Sequence, residues 1–254
     1  MSDKNELAAM EVFWKLHEGL PKQGPGSDAS TRRALALLPP LPPAPRILDL
    51  GCGPGRQSLV LARETAGFVT ALDFLPPFLE QLEERAEAEQ LADRIQATRG
   101  SMADLSYPDE SFDLLWSEGA IYNIGFARGL RSWRRLVRPG GCVAVTELSW
   151  LTASPPERIR QFWEDEYPAM QSRSANERLL GEAGYELIDG FVLPEEDWWD
   201  DYYTPIDERI RTLRSERSDA GWVAALDAAD EEAAIVRTCE GSFGYVFFVM
   251  QKPL

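Results

Sequence analysis

Three glycines separated by single residues stand directly after a short apolar run. Gly51, Gly53 and Gly55 follow residues 47–50, and a helix-like segment follows them at residues 57–66. A strand that turns sharply into a helix leaves backbone N–H groups pointing outward, and glycine lets the backbone bend and a ligand approach. Asp73 closes a second apolar run about 20 residues later, where an acid suits the hydroxyls of a ribose. The pattern predicts a nucleoside-binding βαβ unit.

The glycine spacing differs from the dinucleotide fingerprint, Gly-x-Gly-x-x-Gly. The third glycine comes one position early, at Gly55, and Arg56 stands where that fingerprint has glycine. Asp49, two residues before the first glycine, is also foreign to the dinucleotide pattern. The run from Asp49 to Gly55 resembles the first motif of class I S-adenosylmethionine (SAM)-dependent methyltransferases.

The resemblance implies SAM as the cofactor and S-adenosyl-L-homocysteine (SAH) as its product. In that family the glycine loop packs against the amino-acid part of SAM, and the acid after the second strand holds the ribose. The family has an aspartate facing the adenine where this chain has Ser101, so the Met102 backbone and side chain are expected to serve the ring. The expected cofactor-binding residues are Gln23, Gly26, Ser27, Asp49, Gly51, Cys52, Gly53, Gln57, Asp73, Phe74, Ser101, Met102 and Glu118.

The catalytic candidates are Glu118 and Tyr122, which follow the predicted fourth strand. In open α/β sheets ligands bind beyond the carboxyl ends of the strands, so both side chains should face the cavity. The segment around them resembles a bacterial subgroup of this family. Glu118 has four open roles: contact with the positive end of SAM, orientation of a substrate amine, general base, or cap of the following turn. Glu147 is a second candidate cavity carboxylate, expected at the rim.

Methyl transfer needs alignment and exclusion of water more than a dedicated base. The single histidine, His17, belongs to a polar N-terminal helix and is expected on the surface. The Asn/Asp-Pro-Pro-aromatic motif of nucleic-acid and protein-glutamine N-methyltransferases does not follow the fourth strand, and the Pro-Cys pair of cytosine methyltransferases does not occur. The resemblance therefore implies a small-molecule acceptor, with an N, O, S or C nucleophile left open.

Composition limits the possible partners and compartments. The chain has 254 residues, 26 Lys plus Arg against 42 Asp plus Glu, and a net charge of −16, which disfavours nucleic acid. Its three cysteines lie far apart, which predicts a reducing compartment and no zinc site. No apolar run approaches membrane-spanning length, and the polar start is unlike a signal peptide. We expect a cytoplasmic protein without a membrane partner. Its oligomeric state is left open, and a homodimer is one option.

The resemblance also implies the elements that position these residues. It implies an α/β fold, a Rossmann-like seven-stranded sheet with helices on both faces, with later strands at residues 142–148, 185–193 and 243–251. Helices are predicted at residues 7–18 and 29–38, joined by a loop, residues 21–27, that is either a plain connector or a cover for the cofactor. The segment 194–242 exceeds a normal loop and should form helices of its own, a cap over the site.

These predictions define one methyltransferase domain, residues 1–254. It comprises an N-terminal helical arm (1–38), a SAM-binding core (39–150), a substrate and cap region that includes strand six (151–242), and the final strand (243–254). Within the cap, Trp198, Trp199 and Tyr202 stand beside acids, and they either hold an ammonium group or anchor the cap. The alternatives are a SAM-binding module without catalysis and an NAD(P)-dependent oxidoreductase, against which the early third glycine argues.

Overall fold

The centre of the molecule is a single mixed β-sheet. The computed structural model describes residues 3–239 and 241–254, with side chains described for 7–239 and 241–254. Met1, Ser2 and Glu240, which belong to the predicted arm and cap, lie outside the described residues. The strands are β1 Arg46–Leu50, β2 Phe68–Asp73, β3 Ile95–Arg99, β4 Phe112–Ser117, β5 Val137–Trp150, β6 Gln171–Ser172, β7 Glu186–Val192 and β8 Phe243–Gln251.

The strand order is β3-β2-β1-β4-β5-β8-β7, with β6 pairing β5 off this path. Strands β1 to β5 are parallel, and β8 runs antiparallel between β5 and β7. This confirms the Rossmann-like sheet with seven principal strands. The two-residue strand β6 was not expected. Strand β5 begins at Val137, before the predicted start at residue 142, because Val137 already pairs with Phe112 of β4.

Helices cover both faces of this sheet. They are α1 Asp3–His17, α2 Asp28–Ala36, α3 Arg56–Glu64, α4 Pro76–Ala88, α5 Phe126–Trp133, α6 Glu157–Glu166, α7 Arg173–Glu182, α8 Glu196–Trp198, α9 Thr204–Leu213 and α10 Ala220–Arg237. The predicted arm and cap helices are confirmed, and a π-helical turn at Trp199–Tyr203, which was not predicted, joins α8 to α9. Among the described residues, no helix combines the length and apolarity needed to cross a membrane.

The apolar alternation of the strands divides the core into two layers. Ile47 of β1 packs on one face of the sheet with Leu82 of α4, whereas its neighbour Leu48 packs on the other face with Leu130 of α5. Both residues of β1 have no exposed surface. Parallel strands that are buried on both faces have nearly continuous apolar sequences, and such runs can be recognised in the sequence.

The arm and the cap form one unit beside the sheet. Val12 and Leu16 of α1 pack with Ile206 of α9 and with Trp222 of α10. Arg85 of α4 fixes the loop that follows α1. Its guanidinium donates hydrogen bonds of 3.1–3.2 Å to the carbonyls of residues 20 and 21 in that loop and of residue 54 in the glycine loop. The loop after α1 is therefore held directly against the glycine loop.

Candidate active site

The glycine loop joins β1 to α3 in a conformation that only glycine tolerates. Gly51 has φ of +74°, and a Cβ at this position would lie 2.4 Å from the Ala120 Cβ and 2.9 Å from the Met102 Cε. Gly55 has φ of +85°, and its Cβ would lie 2.1 Å from Leu82. The first glycine thus allows close approach to the segment after β4, and the third allows close packing of α4.

Asp73 is fixed at the end of β2 by two backbone N–H groups. Its Oδ2 accepts a hydrogen bond of 2.9 Å from the Gly53 N–H, and its Oδ1 accepts one of 2.9 Å from the Leu75 N–H. These bonds hold the carboxylate beside the glycine loop, while each oxygen keeps a lone pair for a further donor.

A cavity of about 490 Å³ opens at the carboxyl ends of β1, β2 and β4, and we call it the glycine-loop cavity. Eleven predicted residues line it: Gln23, Gly51, Cys52, Gly53, Gln57, Asp73, Phe74, Ser101, Met102, Glu118 and Tyr122. Phe13, Lys22, Leu75 and Phe78 also line it and were missed in the sequence. Leu75 could have been predicted, because it follows Asp73 and Phe74 directly after the end of a strand.

Three residues predicted to bind the cofactor do not line this cavity. Asp49 is fully buried beneath the loop, where its carboxylate accepts hydrogen bonds from the Ser58 hydroxyl at 2.5 Å and the Gln57 amide at 3.4 Å. Burial raises the pKa of Asp49 to about 7. Ser27 is the N-cap of α2, and the Gly26 N–H donates to the carbonyl of residue 197 at 3.0 Å. Each of the three therefore supports the loops around the cavity.

Glu118 is the centre of a buried network that joins the arm to the sheet. Its Oε1 accepts hydrogen bonds of 2.8 Å from the Thr31 hydroxyl and from the Trp116 indole N–H. Its Oε2 forms an ion pair with the Lys22 ammonium, and the side chains of Glu118 and Lys22 are 1% and 9% exposed. Both oxygens of Glu118 are thus engaged before any ligand binds.

Gln23 offers unsatisfied polar atoms to a ligand. Its amide nitrogen and oxygen are both buried, and neither has a hydrogen-bond partner among the described residues. Since buried amides are normally hydrogen-bonded, this side chain is prepared for polar groups that enter the cavity.

A second cavity, of about 500 Å³, lies between the arm and the cap, and we call it the aromatic cavity. Its wall includes aromatic residues from α1, α6, α8, the π-helical turn and β8: Phe13, Phe162, Trp163, Trp198, Tyr202, Tyr203 and Tyr245. Phe13, Gln23, Gly24, Gly119 and Tyr122 line both cavities. The two cavities therefore adjoin each other at these shared residues.

His17 departs from the surface position expected for it. It is 6% exposed and lines the aromatic cavity, because α1 folds over the site. Its Nδ1 donates a hydrogen bond of 2.7 Å to the Phe13 carbonyl, and its Nε2 accepts one of 3.2 Å from the Tyr202 hydroxyl. Burial lowers the pKa of His17. The imidazole is therefore neutral, with both nitrogens engaged.

Two partly compensated carboxylates stand in or behind the wall of the aromatic cavity. Glu232 lines the cavity and accepts a hydrogen bond of 2.6 Å from the Tyr203 hydroxyl. Glu147, expected at the rim, is instead 1% exposed and accepts a hydrogen bond from the hydroxyl of Tyr167, a cavity residue. The Glu147 Oε2 has no partner among the described residues, and burial raises the pKa of this group to about 8.

The predicted aromatic run of the cap packs into the core, as the anchoring alternative expects, and its Trp198 also lines a cavity. Trp198 is 7% exposed, packs against Tyr203 and Phe243, and lines the aromatic cavity, so it anchors the cap and faces a ligand site. Asp201 forms an ion pair of 2.7 Å with Arg56, which links the cap to the start of α3. In the described part of the chain, no group of His, Cys, Asp and Glu is arranged to hold a metal ion.

Comparison with known proteins identifies methyltransferases as the relatives of this chain. The chain matches a methyltransferase domain model over residues 47–141. It is 29% identical over 244 residues to the 27-O-demethylrifamycin SV methyltransferase of Amycolatopsis mediterranei (strain S699), covering 89% of this chain and 85% of that one. It is 34% identical over 183 residues to the malonyl-[acyl-carrier protein] O-methyltransferase of Pseudescherichia vulneris, covering 72% of this chain and 67% of that one.

A solved structure confirms the fold. The SAM-dependent methyltransferase of Geobacter sulfurreducens, crystallised with SAH, superposes with a TM-score of 0.78 at 21% identity, covering 94% of this chain and 97% of that one. The glycine loop, the strand order and the relatives all indicate the same family. The chain belongs to the methyltransferase family and is a class I enzyme that uses SAM.

Proposed function

We propose that the chain transfers the methyl group of SAM, bound in the glycine-loop cavity, to a small organic acceptor bound in the aromatic cavity. The observation that carries this proposal is the shared wall between two cavities of similar volume, about 490 and 500 Å³. Transfer requires the two reacting molecules to meet at van der Waals distance. The shared residue Tyr122 marks the place where they meet.

The residues of the glycine-loop cavity fit SAM. Gly51 lets Ala120 and Met102 approach the glycine loop closely, and the buried Gln23 amide has no polar partner among the described residues. When bound, SAM supplies an electrophilic methyl group on a positively charged sulfur. In this proposal Asp73 binds the ribose hydroxyls, and Phe74 and Met102 pack on the faces of the adenine; all three residues line the cavity. Lys22 and Gln23, which also line the cavity, would bind the carboxylate and amino group of the methionyl part.

The protein's contribution to catalysis is alignment and the exclusion of water. The arm covers both cavities, and its loop is fixed to the glycine loop through Arg85. We assign Glu118 a positioning role, because its oxygens are already engaged by Thr31, Trp116 and Lys22. Tyr122 borders the transfer point, where its ring and hydroxyl orient the acceptor.

The enclosed site supports a small acceptor in preference to nucleic acid. The net charge of −16 repels phosphate backbones. The aromatic cavity is walled by the arm and the cap, which leaves room for a molecule but not for a duplex. The Amycolatopsis relative is named for a small-molecule acceptor, 27-O-demethylrifamycin SV, which supports the same class here.

The first test is calorimetric titration with SAH, SAM and NADH. We expect binding of both sulfur nucleosides but not of NADH. Asp73→Ala should weaken SAH binding at least tenfold, about 1.4 kcal/mol, whereas the exposed acid in Asp93→Ala serves as a control and should leave it unchanged. A pool of metabolites incubated with methyl-labelled SAM then tests turnover.

Two results would contradict the proposal in different ways. Tight NADH binding without a response to either sulfur nucleoside would refute the cofactor assignment in this chain. SAH binding without methylation of any metabolite class would instead favour a SAM-binding module.

A further inference from the structure

The charged groups of the aromatic cavity are almost all acidic. Glu166, Glu231 and Glu232 line it, and no Lys or Arg is found among its lining residues in the part of the chain that the structure describes. The one remaining basic side chain is His17, whose pKa is lowered by burial against the opposing effect of its hydrogen bond to the Phe13 carbonyl. A phosphate or carboxylate on the acceptor would therefore meet repulsion and no compensating cation.

Two carboxylates in or behind the cavity wall have incomplete compensation: Glu232, which lines the cavity and is half-buried, and Glu147, which is buried behind the wall. Glu232 has one tyrosine hydroxyl, at 2.6 Å from its Oε1, and burial raises its pKa. Glu147 has one tyrosine hydroxyl on Oε1, and its Oε2 has no partner among the described residues. Removing a carboxylate from water is costly unless a cation or several donors replace the water. A positively charged ligand in the cavity would supply what Glu232 lacks.

The aromatic wall suits the same kind of ligand. Tyr122, Tyr167, Trp198, Tyr202, Tyr203 and Tyr245 all line the cavity that Glu232 faces. The faces of such rings attract a cation, and they also pack against apolar carbon. Rings and carboxylates together select a molecule with a basic nitrogen on an apolar skeleton.

We propose that the acceptor is a primary or secondary amine on an apolar skeleton, and that Glu232 binds its nitrogen. This inference depends on the proposed function, since it names the substrate class of that same cavity. Neutral alcohols and phenols would use the tyrosine hydroxyls but would leave Glu232 uncompensated.

The chemistry balances with the groups at hand. An amine that arrives as its ammonium ion gives one proton to the Glu232 carboxylate and becomes a neutral nucleophile. The nitrogen lone pair then forms the bond to the methyl carbon while the carbon–sulfur bond breaks, so the positive charge passes from sulfur to nitrogen. The methylated ammonium product leaves, and Glu232 returns its proton to water.

The test uses three probes with one skeleton, titrated into the full chain saturated with SAH: 4-phenylbutylamine, 4-phenylbutan-1-ol and 4-phenylbutanoate. We expect the amine to bind at least tenfold more tightly than the alcohol, and the carboxylate not to bind. Glu232→Gln should weaken amine binding at least tenfold and change alcohol binding less than twofold. Glu208→Gln removes one charge from an exposed position of the same cap and should change neither.

Each outcome has one meaning. Alcohol binding as tight as amine binding, binding of the carboxylate, or no binding of any probe would overturn the amine assignment, and so would an unchanged amine affinity in Glu232→Gln. The order of the three probes is measured on the unmodified chain, so it does not depend on the folding of a variant. Failure of SAH itself to bind would refute the proposed function, whereas SAH binding without amine preference would refute this inference alone.

Discussion

The role of Glu118 can be decided by a charge-neutral substitution. Glu118→Gln keeps the size of the side chain and an oxygen for Thr31 and Trp116, but it removes the charge that faces Lys22. If Glu118 positions the arm, the variant should lose stability and SAH affinity together. If it is a general base, turnover should fall while stability and SAH affinity are kept.

The expected size of the effect follows from burial. With side chains 1% and 9% exposed, the Glu118–Lys22 pair is well removed from water. Breaking a buried ion pair by removing one partner costs about 3–5 kcal/mol. We expect the low end, about 3 kcal/mol, since the Lys22 ammonium borders a cavity that water can enter. For a chain of this size that lowers Tm by about 6–12 °C.

Denaturation in urea and calorimetric titration with SAH measure both quantities. The double variant Lys22→Met/Glu118→Gln removes the ammonium as well, so it should recover at least about 1 kcal/mol over Glu118→Gln, because a buried unpaired charge is gone. The positioning role would be refuted by a stable Glu118→Gln variant that binds SAH normally and has lost turnover. It would equally be refuted by a double variant no more stable than the single one.

Three further predictions concern the loops around the site. Gly51→Ala should lower the free energy of unfolding by about 2–5 kcal/mol, because left-handed backbone strain adds to overpacking, and it should abolish SAH binding. The control Gly19→Ala, with φ of +69° and no atom within 4 Å, should lose only the strain energy. Equal losses of stability in a denaturation assay would contradict this. The free energy of unfolding should fall as pH rises from about 4 to 7, because the folded-state pKa of Asp49 is raised to about 7 and the native state binds the extra proton; Asp49→Asn should flatten that slope, and an unchanged slope would show that other groups cause it. Arg85→Met removes the hydrogen bonds that tie the arm carbonyls of residues 20 and 21 and the glycine-loop carbonyl of residue 54 to one guanidinium, so SAH should dissociate at least several-fold faster in stopped-flow measurements while the protein stays folded; an unchanged rate would mean that the arm does not limit release.

The parts of the site that could be predicted from the sequence are those with local causes. The glycine loop and Asp73 follow from strand ends and backbone geometry within one βαβ unit. The final strand, Phe243–Gln251, has the predicted bounds because its apolar run is buried on both faces. The helices of the cap were predicted because no loop of that length is normal.

The parts that were missed depend on contacts between distant segments. Lys22 lies 96 positions before Glu118, and nothing near Lys22 in the sequence indicates a buried partner. His17 looks like a surface residue within α1, and only the packing of the arm on the cap buries it. Asp49 and Ser27 have the residue types of ligand-binding positions, but local hydrogen bonds with Ser58 and Ser30 use their oxygens.

In the proposed arrangement, the residues that the two cavities share link the binding of SAM to the binding of the acceptor. Phe13, Gln23 and Gly24 belong to one arm segment, so SAM cannot settle against them without also setting the shape offered to the acceptor. If bound SAM changes the affinity for the acceptor by some factor, the bound acceptor must change the affinity for SAM by the same factor. An acceptor that completes this wall would therefore retain SAM in the enzyme, whereas the release of either product would loosen the other.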